Sequence, residues 1–389
     1  MRRLRTSLLG AAVGLAVLAA TAQPSTASSV TAAQAFRTGA DQGIVAGYPG
    51  VMGLIVDGAT NTYVKAGSNV RGSATPLDTN AKFRIASNTK TFTSAVVLQL
   101  EAEGKLSLND TVAHWLPNAV NSNGYDGNTI TIRELLNQRS GLPDYMAPYN
   151  IAYYGAFNVD QSYTPQELIN SALAQRPAAL PRVFEYANTN YMLAGMIITA
   201  VTGHTPSVEI TNRIITPLNL TNTSYPETSP DIYGNFMRGW RWPPPLWGGY
   251  QPPLADSTRS NTQLFGPAGA IISTLQDQVT FERALLQGQV LAPTQLAEMK
   301  TSIKIENYDN EYGLGMTRVK ATCNGATQWF WSHGGDEIGY HSRWFATEDG
   351  SKQIFYAANE NHGLGLTESA GQQALQAGAL NAMCELLKP

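Results

Sequence analysis

The segment FRIASNTKTF, residues 83–92, places a serine and a lysine three positions apart, where a strand-like pattern changes to a helical one. Residues i and i+3 share one face of a helix, so Lys90 can reach the hydroxyl of Ser87. Serine is a weak nucleophile until a neighbouring base takes its proton, and a lysine can be that base when burial lowers its pKa. Under the alternative interpretation, Ser87 caps the helix and Lys90 lies on a solvated face. The two interpretations separate only if further parts of such a site occur elsewhere.

A second segment, FEYANTNYMLAG, carries Tyr186 and Asn188. A phenol held between a lysine and a serine can pass a proton on to a leaving group. The amide of Asn188 can donate a hydrogen bond to a substrate carbonyl. Tyr-x-Asn also occurs at Tyr233 and Tyr308, but only the copy at Tyr186 directly precedes an apolar helical pattern, which favours it as part of the site.

A third segment, the aromatic strand pattern WFWSHGG, ends on His333, Gly334 and Gly335. Glycines allow a substrate backbone to approach a strand edge closely. The backbone N–H that follows them, together with that of Ser87, can form an oxyanion hole. We predict that His333 supplies a proton-linked charge beside Tyr186; the alternative is an ordinary turn residue next to two glycines.

Hydrophobic periodicity predicts the elements that must bring these segments together. GVMGLIVDG and NTYVKAGSNVRG flank a turn at Gly58 and predict a hairpin, and Asp349-Gly350 predicts a second hairpin near the C-terminus. Helical patterns fill most of the middle of the chain. We therefore predict an α+β fold: an antiparallel sheet built from both termini and flanked by helices, with an inserted, mostly helical lobe. The expected α/β lobe covers about residues 30–86 and 255–389, and the helical lobe about residues 87–254.

The N-terminus predicts export. Arginines at positions 2, 3 and 5 precede an apolar run at residues 8–20. Ala20-Thr21-Ala22 matches an A-x-A cleavage site, with Ser25-Thr26-Ala27 as the second choice. The run is too short to span a bilayer comfortably. We therefore assign residues 1–27 to a secretion signal and residues 30–389 to the mature domain, which we expect to be extracellular and without a stable membrane anchor.

Composition narrows the remaining function classes. The chain of 389 residues is 43% hydrophobic and 14% charged, which favours a large core over disorder. A formal net charge of −3 and the lack of a basic run disfavour nucleic acid as a partner. The five scattered histidines include no H-E-x-x-H and no G-x-S-x-G elbow is present, so we expect no metal, no cofactor and no Ser-His-Asp triad.

The chain has two cysteines, Cys323 and Cys384. In an oxidising compartment, a disulfide between them would tie the C-terminal helix to the strand region before it. The alternative is two separate buried thiols.

In chain order, the three segments resemble the penicillin-recognising serine hydrolases, whose related motif set is S-x-x-K, S-D-N and K-T-G. The similarity is greatest to the branch with Tyr-x-Asn and His-x-Gly. That branch comprises secreted actinobacterial D-Ala-D-Ala carboxypeptidases, class C β-lactamases, and D-stereospecific amidohydrolases and esterases. The resemblance runs from about residue 36 to the end and includes the segments LLNQRSGLPDY, TPLNLTNTSY, GPAGAIIST and YGLGM.

The resemblance implies a role for each motif residue. Ser87 would be the acylated nucleophile, Lys90 its base, Tyr186 the proton relay, Asn188 a contact to the substrate amide and His333 an electrostatic residue of the cleft wall. We expect a secreted monomer that forms an acyl-enzyme with D-amino-acid-containing substrates. The first choice is a D-Ala-D-Ala carboxypeptidase, followed by a D-stereospecific aminoacyl amidohydrolase or esterase, and then a β-lactamase. The expected partners are a small peptide, a D-aminoacyl amide or ester, or a β-lactam.

The leaving-group side departs from the carboxypeptidase pattern. Those enzymes bind a terminal carboxylate with hydroxyls around the His-x-Gly strand and a nearby arginine, whereas this chain has Gly334 at the x position and Asp336 after the second glycine. Arg318 follows Thr317 by one step, which in a strand turns its side chain to the opposite face. Two carboxylates about 4 Å apart repel by about 4 kcal/mol at an effective dielectric of about 20. If the Asp336 side chain points into the site, we expect substrates with uncharged leaving groups. If it points outward, the carboxypeptidase interpretation remains open, with Arg318 or Arg343 binding the terminal carboxylate of the substrate.

Aromatic loops flank the second segment. Two functions are open for their side chains: they line a large apolar pocket on the acyl side, or they pack a proline-rich loop against the body. The residues concerned are Tyr145, Tyr149, Tyr153, Tyr154, Trp240, Trp242 and Trp247.

The competing class of protein is a secreted binder that is acylated and never turns over. The intact proton relay argues against it, because a pure binder has no need of Lys90 and Tyr186.

Overall fold

The computed structural model describes residues 26–146, 158–241, 254–306, 308–360 and 369–388. Over these residues the chain forms three layers: a pair of terminal helices, an antiparallel sheet, and further helices on the opposite face of the sheet. The α+β class predicted from the sequence is confirmed.

The strands, in chain order, are β1 (Gly50–Asp57), β2 (Thr60–Gly67), β3 (Phe83–Arg84), β4 (Trp240–Arg241), β5 (Ala255–Asp256), β6 (Ile272–Ser273), β7 (Ile303–Lys304), β8 (Glu311–Tyr312), β9 (Thr317–Cys323), β10 (Ala326–Glu337), β11 (Tyr340–Ala346) and β12 (Lys352–Ala358). The main sheet has the order β2-β1-β12-β11-β10-β9-β8-β7, with β3 paired to β6 and β4 to β5 as separate two-stranded ribbons. The predicted turn at Gly58 joins β1 to β2, and the predicted turn at Asp349-Gly350 joins β11 to β12. Strands from both ends of the chain therefore meet in one sheet, as predicted.

The helices are α1 (Thr26–Val45), α2 (Thr89–Ala102), α3 (Val112–Trp115), α4 (Ile132–Leu136), α5 (Pro165–Leu173), α6 (Asn188–Thr202), α7 (Pro206–Ile210), α8 (Thr262–Gly269), α9 (Leu275–Leu286), α10 (Pro293–Lys300) and α11 (Ala370–Leu386). A 3₁₀ turn, Ala86–Asn88, leads into α2. Local sequence explains where some helices begin and end. The Thr274 side chain caps the N-terminus of α9. Helix α6 ends at Gly203, whose φ of 77° suits glycine. In the described part of the chain, no helix combines the length and apolarity that a membrane span requires.

The terminal helices cover one face of the sheet. A Cβ on Gly39 of α1 would lie 2.8 Å from the Cα of Gly378 on α11, so glycine at both positions lets the two helices approach closely. Cys323 at the end of β9 and Cys384 on α11 form the predicted disulfide, with their Cα atoms 5.1 Å apart. The bond ties α11 to the sheet, and the alternative of two separate thiols is excluded.

Side chains alternate between the two faces of the sheet along each strand. Phe330 and Phe345 pack toward α1 and α11, whereas their neighbours Trp331 and Trp344 pack toward the other helices. His333 has the parity of Trp331 and therefore points toward the helical side. This alternation decides which side chains of the HGGD segment meet Ser87.

The helical layer extends beyond the boundary expected near residue 254. Helix α8 lies after that boundary, yet it packs against α2 and α6. A Cβ on Gly195 of α6 would lie 2.4 Å from Cγ of Pro267 on α8, so the two helices are in direct contact there. The apolar LFGPAG segment explains the placement, because it is buried and needs partners on several sides.

Candidate active site

Ser87 lies in the short 3₁₀ turn that precedes α2 and is partly exposed. The residue before it, Ala86, has a φ of 48°, a left-handed conformation that costs a non-glycine residue about 1–2 kcal/mol. The Asn88 side chain holds the turn in place by donating to Ile85 O and to Ser342 Oγ of β11, both at 2.9 Å. A strained turn anchored on the sheet therefore presents the serine hydroxyl, a feature common at functional sites.

Lys90 is fully buried, one helical turn beyond the serine. Its Nζ lies 2.9 Å from Ser87 Oγ, 2.7 Å from Asn188 Oδ1 and 2.9 Å from Ala268 O. Burial lowers the pKa of Lys90 to about 7, although the nearby carboxylate of Asp144 acts in the opposite direction. A deprotonated amine keeps two N–H groups for the two carbonyl oxygens and turns its lone pair toward the Ser87 hydroxyl. Lys90 can therefore accept the serine proton near neutral pH, and the solvated-face alternative is excluded.

Tyr186 completes the group around the serine. Its hydroxyl is hydrogen-bonded with Ser87, and Lys90 Nζ lies 4.9 Å from the centre of its ring. The side chain is 38% exposed, but its hydroxyl end is enclosed, and this burial raises the pKa of the phenol despite the hydrogen bond to Ser87. Tyr186 is therefore a protonated donor that borders both the serine and solvent, which suits the relay of a proton to a leaving group.

We expect Tyr186→Phe to lower kcat/KM about 100-fold, because proton transfer to the leaving group loses its donor. The matched control is Tyr233→Phe, which alters an exposed copy of the Tyr-x-Asn pattern and should leave the rate unchanged. Steady-state rates of both variants, with melting temperatures to check folding, test this. Equal rates for Tyr186→Phe and wild type would remove the phenol from the mechanism.

His333 lies on the helical side of β10 and is buried. Its Nδ1 lies 2.7 Å from Gly334 O and its Nε2 lies 3.1 Å from the hydroxyl of Tyr312. Since a carbonyl can only accept, Nδ1 carries the proton and Tyr312 donates to Nε2. Burial lowers the pKa of His333 to about 3, and the positive charge of Lys90 adds to the effect. The sequence predicts a proton-linked charge here; the structure instead holds a neutral imidazole in the wall beside Tyr186.

The two glycines of the HGG segment face opposite sides of β10. A Cβ on Gly335 would lie 2.0 Å from Ile85 O and 2.6 Å from Asn88 Nδ2, so this glycine lets the strand press against the serine turn. The sequence predicts a different reason for the glycine, which is the close approach of a substrate backbone. A Cβ on Gly334 would lie 3.8 Å from Arg343 Nε on the face toward α11. Gly334 therefore leaves space over which the Arg343 side chain extends.

Asp336 shares the face of Gly334 and is 47% exposed. Its Oδ1 accepts from Gln372 Nε2 at 3.0 Å and lies 2.7 Å from Nδ1 of His341. Burial would raise the pKa of Asp336, but His341, Arg343 and Gln372 together hold it below its usual range. The side chain thus points neither at Ser87 nor freely into solvent: an ionised carboxylate lies at the strand edge beside Arg343.

Arg318 pairs with Trp331 across β9 and β10, so its side chain lies on the same face of the sheet as His333. Its guanidinium lies 4.8 Å from the centre of the Trp329 ring and donates to Glu311 Oε2 at 3.4 Å. Trp329 precedes His333 by four residues along β10. The contacts of Arg318 therefore lie along β10 away from the serine.

Two residues near the serine were missed by sequence reasoning as site residues. Tyr312 packs beside both His333 and Tyr186, with its ring centre 6.0 and 6.2 Å from theirs. Asp144 accepts a hydrogen bond from Asn188 Nδ2 at 2.9 Å. Tyr312 lies in YGLGM and Asp144 in LLNQRSGLPDY, two of the segments that carry the family resemblance. Their place in these segments is the sequence feature that points to both residues. Within the described ranges, no group of three or more His, Cys, Asp or Glu side chains lies close enough together to hold a metal ion.

The aromatic loops are only partly described. Tyr145 is buried and donates to Leu264 O at 2.7 Å, and Trp240 donates from Nε1 to Asn69 O at 3.0 Å. For these two residues the packing alternative holds. The remaining aromatic residues of the prediction lie outside the described residues, and they are Tyr149, Tyr153, Tyr154, Trp242 and Trp247.

The family model described as Beta-lactamase matches residues 33–379. Among solved structures, a D-stereospecific amidohydrolase from Streptomyces sp. is 34% identical, with a TM-score of 0.75 over 84% of this chain and 94% of that one. The D-amino acid amidase from Ochrobactrum anthropi SV3, complexed with D-phenylalanine, is 26% identical, with a TM-score of 0.77 over 91% and 99%.

Curated relatives match over shorter stretches. Penicillin-binding protein 4* of Bacillus subtilis (strain 168) is 26% identical over 296 residues, which are 73% of this chain and 62% of that protein. Protein flp of Staphylococcus aureus (strain COL) is 38% identical over 149 residues, 38% of this chain and 29% of that protein. The chain thus spans less than two thirds of the length of these curated relatives.

Proposed function

Because the chain belongs to the beta-lactamase family of penicillin-recognising serine hydrolases, we propose that it is a D-stereospecific aminoacyl amidohydrolase or esterase. Ser87 Oγ attacks the substrate carbonyl carbon while its proton passes to Lys90 Nζ. The bond to the leaving amine or alcohol breaks as Tyr186 donates its phenolic proton to that group, and the Lys90 ammonium returns a proton to the phenol. Water then cleaves the acyl-enzyme along the same path, which releases the D-amino acid and restores the serine.

The observation that carries this proposal is the charge at the strand edge after His333. Asp336 is ionised there, and His341 and the guanidinium of Arg343 both stabilise its negative charge. A substrate with a terminal carboxylate would have to compete with Asp336 for that guanidinium and would meet its repulsion. An amide or ester leaving group carries no such charge, so the edge favours uncharged leaving groups.

The solved relatives support the same choice. The two solved neighbours reported above, both more than 25% identical to this chain, are named a D-stereospecific amidohydrolase and a D-amino acid amidase, and the chain covers at least nine tenths of each. Similarity at this level supports the reaction class, while the individual substrate depends on side chains that differ between the proteins.

A D-Ala-D-Ala carboxypeptidase is the second candidate, and one observation favours it. The Cζ of Arg343 lies 3.9 Å from the Cβ position of Gly334, so a guanidinium borders the strand where a terminal carboxylate would lie in a carboxypeptidase. Arginine pairs with carboxylates through two parallel hydrogen bonds. This candidate requires that the substrate displace Asp336 from the neighbourhood of Arg343.

Secretion is part of the proposal. The leader pattern in residues 1–27 supports it, and so does the Cys323–Cys384 disulfide, because such bonds persist in oxidising compartments.

The test compares kcat/KM for D-phenylalanine amide, L-phenylalanine amide and a diacetyl-L-Lys-D-Ala-D-Ala peptide. We expect the D-amide to be favoured over each of the others by at least about 10-fold, and Asp336→Asn to raise the peptide rate relative to the amide rate by about 10-fold, since one repulsion of about 1.4 kcal/mol is removed. The control Asp309→Asn removes a carboxylate that is 82% exposed and should change neither ratio. A wild-type preference for the peptide would replace the proposal with the second candidate.

A further inference from the structure

A carboxylate lies behind the asparagine that binds the lysine. Asp144 Oδ2 accepts from Asn188 Nδ2 at 2.9 Å, and Asn188 Oδ1 accepts from Lys90 Nζ at 2.7 Å. The other carboxylate oxygen, Oδ1, accepts from the backbone N–H of Met146 at 3.0 Å, and the N–H of Asn188 is a further donor to the carboxyl group. Asp144 thus receives hydrogen bonds at the first residue of α6, where the helix dipole favours a negative charge.

This chain of contacts determines which way the Asn188 amide faces. Its oxygen must point to Lys90, because the amine offers N–H groups there, and its nitrogen must point to Asp144, which only accepts. One N–H of the amide is used by Asp144 and the second remains for a substrate carbonyl, the role that the sequence predicts. Without the carboxylate, only the contact with Lys90 would orient the amide, and its nitrogen would lose its acceptor.

Titratable and polar groups face Lys90 from several elements. Tyr191 on α6 and Tyr186 in the segment before α6 each present a phenol to Lys90. Burial raises the pKa of both phenols, so they are uncharged. His333 on β10 is neutral because burial lowers its pKa to about 3. Helix α8 presents only the carbonyl of Ala268.

The state of the Asp144 carboxyl follows from its contacts. Burial raises its pKa, while the hydrogen bonds and Lys90 favour ionisation. Because all its hydrogen-bonding partners named above are N–H donors, we take it as the carboxylate. Among the described groups that surround Lys90, Asp144 therefore supplies the negative charge at neutral pH.

We propose that Asp144 is a positioning residue of the active site: it orients the Asn188 amide toward Lys90, and its charge sets the pH range in which Lys90 can take the serine proton. The proposal rests on the role of Lys90 as base in the function proposed above, but not on the identity of the substrate. A negative charge stabilises the ammonium form of the lysine. Its removal therefore makes the free amine available at lower pH.

The test uses two substitutions at Asp144 and a control. Asp144→Asn removes the charge with little change of shape, and we expect the acid limb of kcat/KM to move to lower pH by about one unit. Asp144→Ala also removes the acceptor, so the plateau value of kcat should fall at least about 10-fold as Asn188 loses its orientation. The control is Asp110→Asn. The wild-type Asp110 carboxylate lies in the same lobe, where it accepts from Ser107 N and Trp115 Nε1. Removal of its charge should not move the acid limb of the pH profile.

Two readouts keep this test separate from the substrate question. The pH profile is measured with a p-nitrophenyl ester, so a missing preference for D-amides affects the proposed function alone. NMR titration of the Lys90 side chain in protein with ¹³C-labelled lysine reports the same shift without turnover. A purely structural role would lower the melting temperature and leave both titrations in place. Unchanged titrations in Asp144→Asn would overturn the charge role, and an unchanged plateau in Asp144→Ala would overturn the positioning role.

Discussion

Replacing Ser87 with alanine should abolish both acylation and turnover, with a fall in kcat of at least about 10⁴-fold, as expected when the nucleophile of a covalent mechanism is removed. The hydroxyl lies 2.9 Å from Lys90 Nζ and is hydrogen-bonded with Tyr186, so its loss leaves the base and the relay without a shared reacting group. Mass spectrometry after incubation with a penicillin, together with steady-state amide hydrolysis, measures the two effects.

The control for this variant is Ser73→Ala, on an exposed loop where the side chain contacts Thr75. It should be acylated and turn over substrate like wild type. Both variants should melt near the wild-type temperature, because each change removes one partly exposed hydroxyl. A covalent adduct in the Ser87→Ala protein would show that another side chain is the nucleophile, and the mechanism would have to be rebuilt around it.

Replacing Lys90 with methionine should lower kcat/KM about 10³-fold, within the range for loss of a general base. Methionine keeps much of the side-chain volume but has no lone pair that can take the serine proton. Arginine at this position should be equally inactive, since a guanidinium stays protonated at any accessible pH. The same argument predicts the wild-type pH profile: with a pKa of about 7, Lys90 is deprotonated above neutrality. The rate should therefore rise about 10-fold per unit up to pH 7 and then level off.

Lys320→Met, which removes a lysine of β9 that is 41% exposed, is the matched control and should leave the profile unchanged. Pre-steady-state acylation rates from pH 5 to pH 9 in wild type and both variants provide the measurement. A Lys90→Met enzyme within about 10-fold of wild type would mean that another group takes the proton, because loss of a general base costs more than that. A wild-type profile that is flat through neutrality would contradict the lowered pKa.

Much of the fold follows from local sequence. The turn residues at Gly58 and at Asp349-Gly350 predict both hairpins correctly, since few residues adopt the backbone angles that tight turns require. The apolar period and the terminal glycine likewise predict α6 up to Gly203. The two turns and this helix end depend on residues adjacent in the chain, so they can be predicted from the sequence.

Where distant partners compete with local preference, prediction is less accurate. The TIRELLNQRSG pattern predicts a helix that ends at its glycine, but α4 ends at Leu136 and Gln138 adopts a φ of 64°. The reason is tertiary: the Gln138 side chain accepts from Ala187 N at 3.0 Å, just before α6. The helix stops early so that this residue can hold the segment that carries Tyr186 and Asn188.

The sequence by itself determined which chemical groups the site contains and in what order: a serine and lysine at helical spacing, then a tyrosine and an asparagine, then a histidine with two glycines. Only the tertiary structure decided the charge each group carries. Lys90 loses its proton near pH 7 because the folded chain removes it from water, and Asn188 and Ala268, about 100 and 180 residues away in the chain, are among its neighbours there. His333 is neutral because burial likewise disfavours its charged form. Protonation depends on desolvation and on charges through space, and both are set by neighbours that a linear pattern does not reveal.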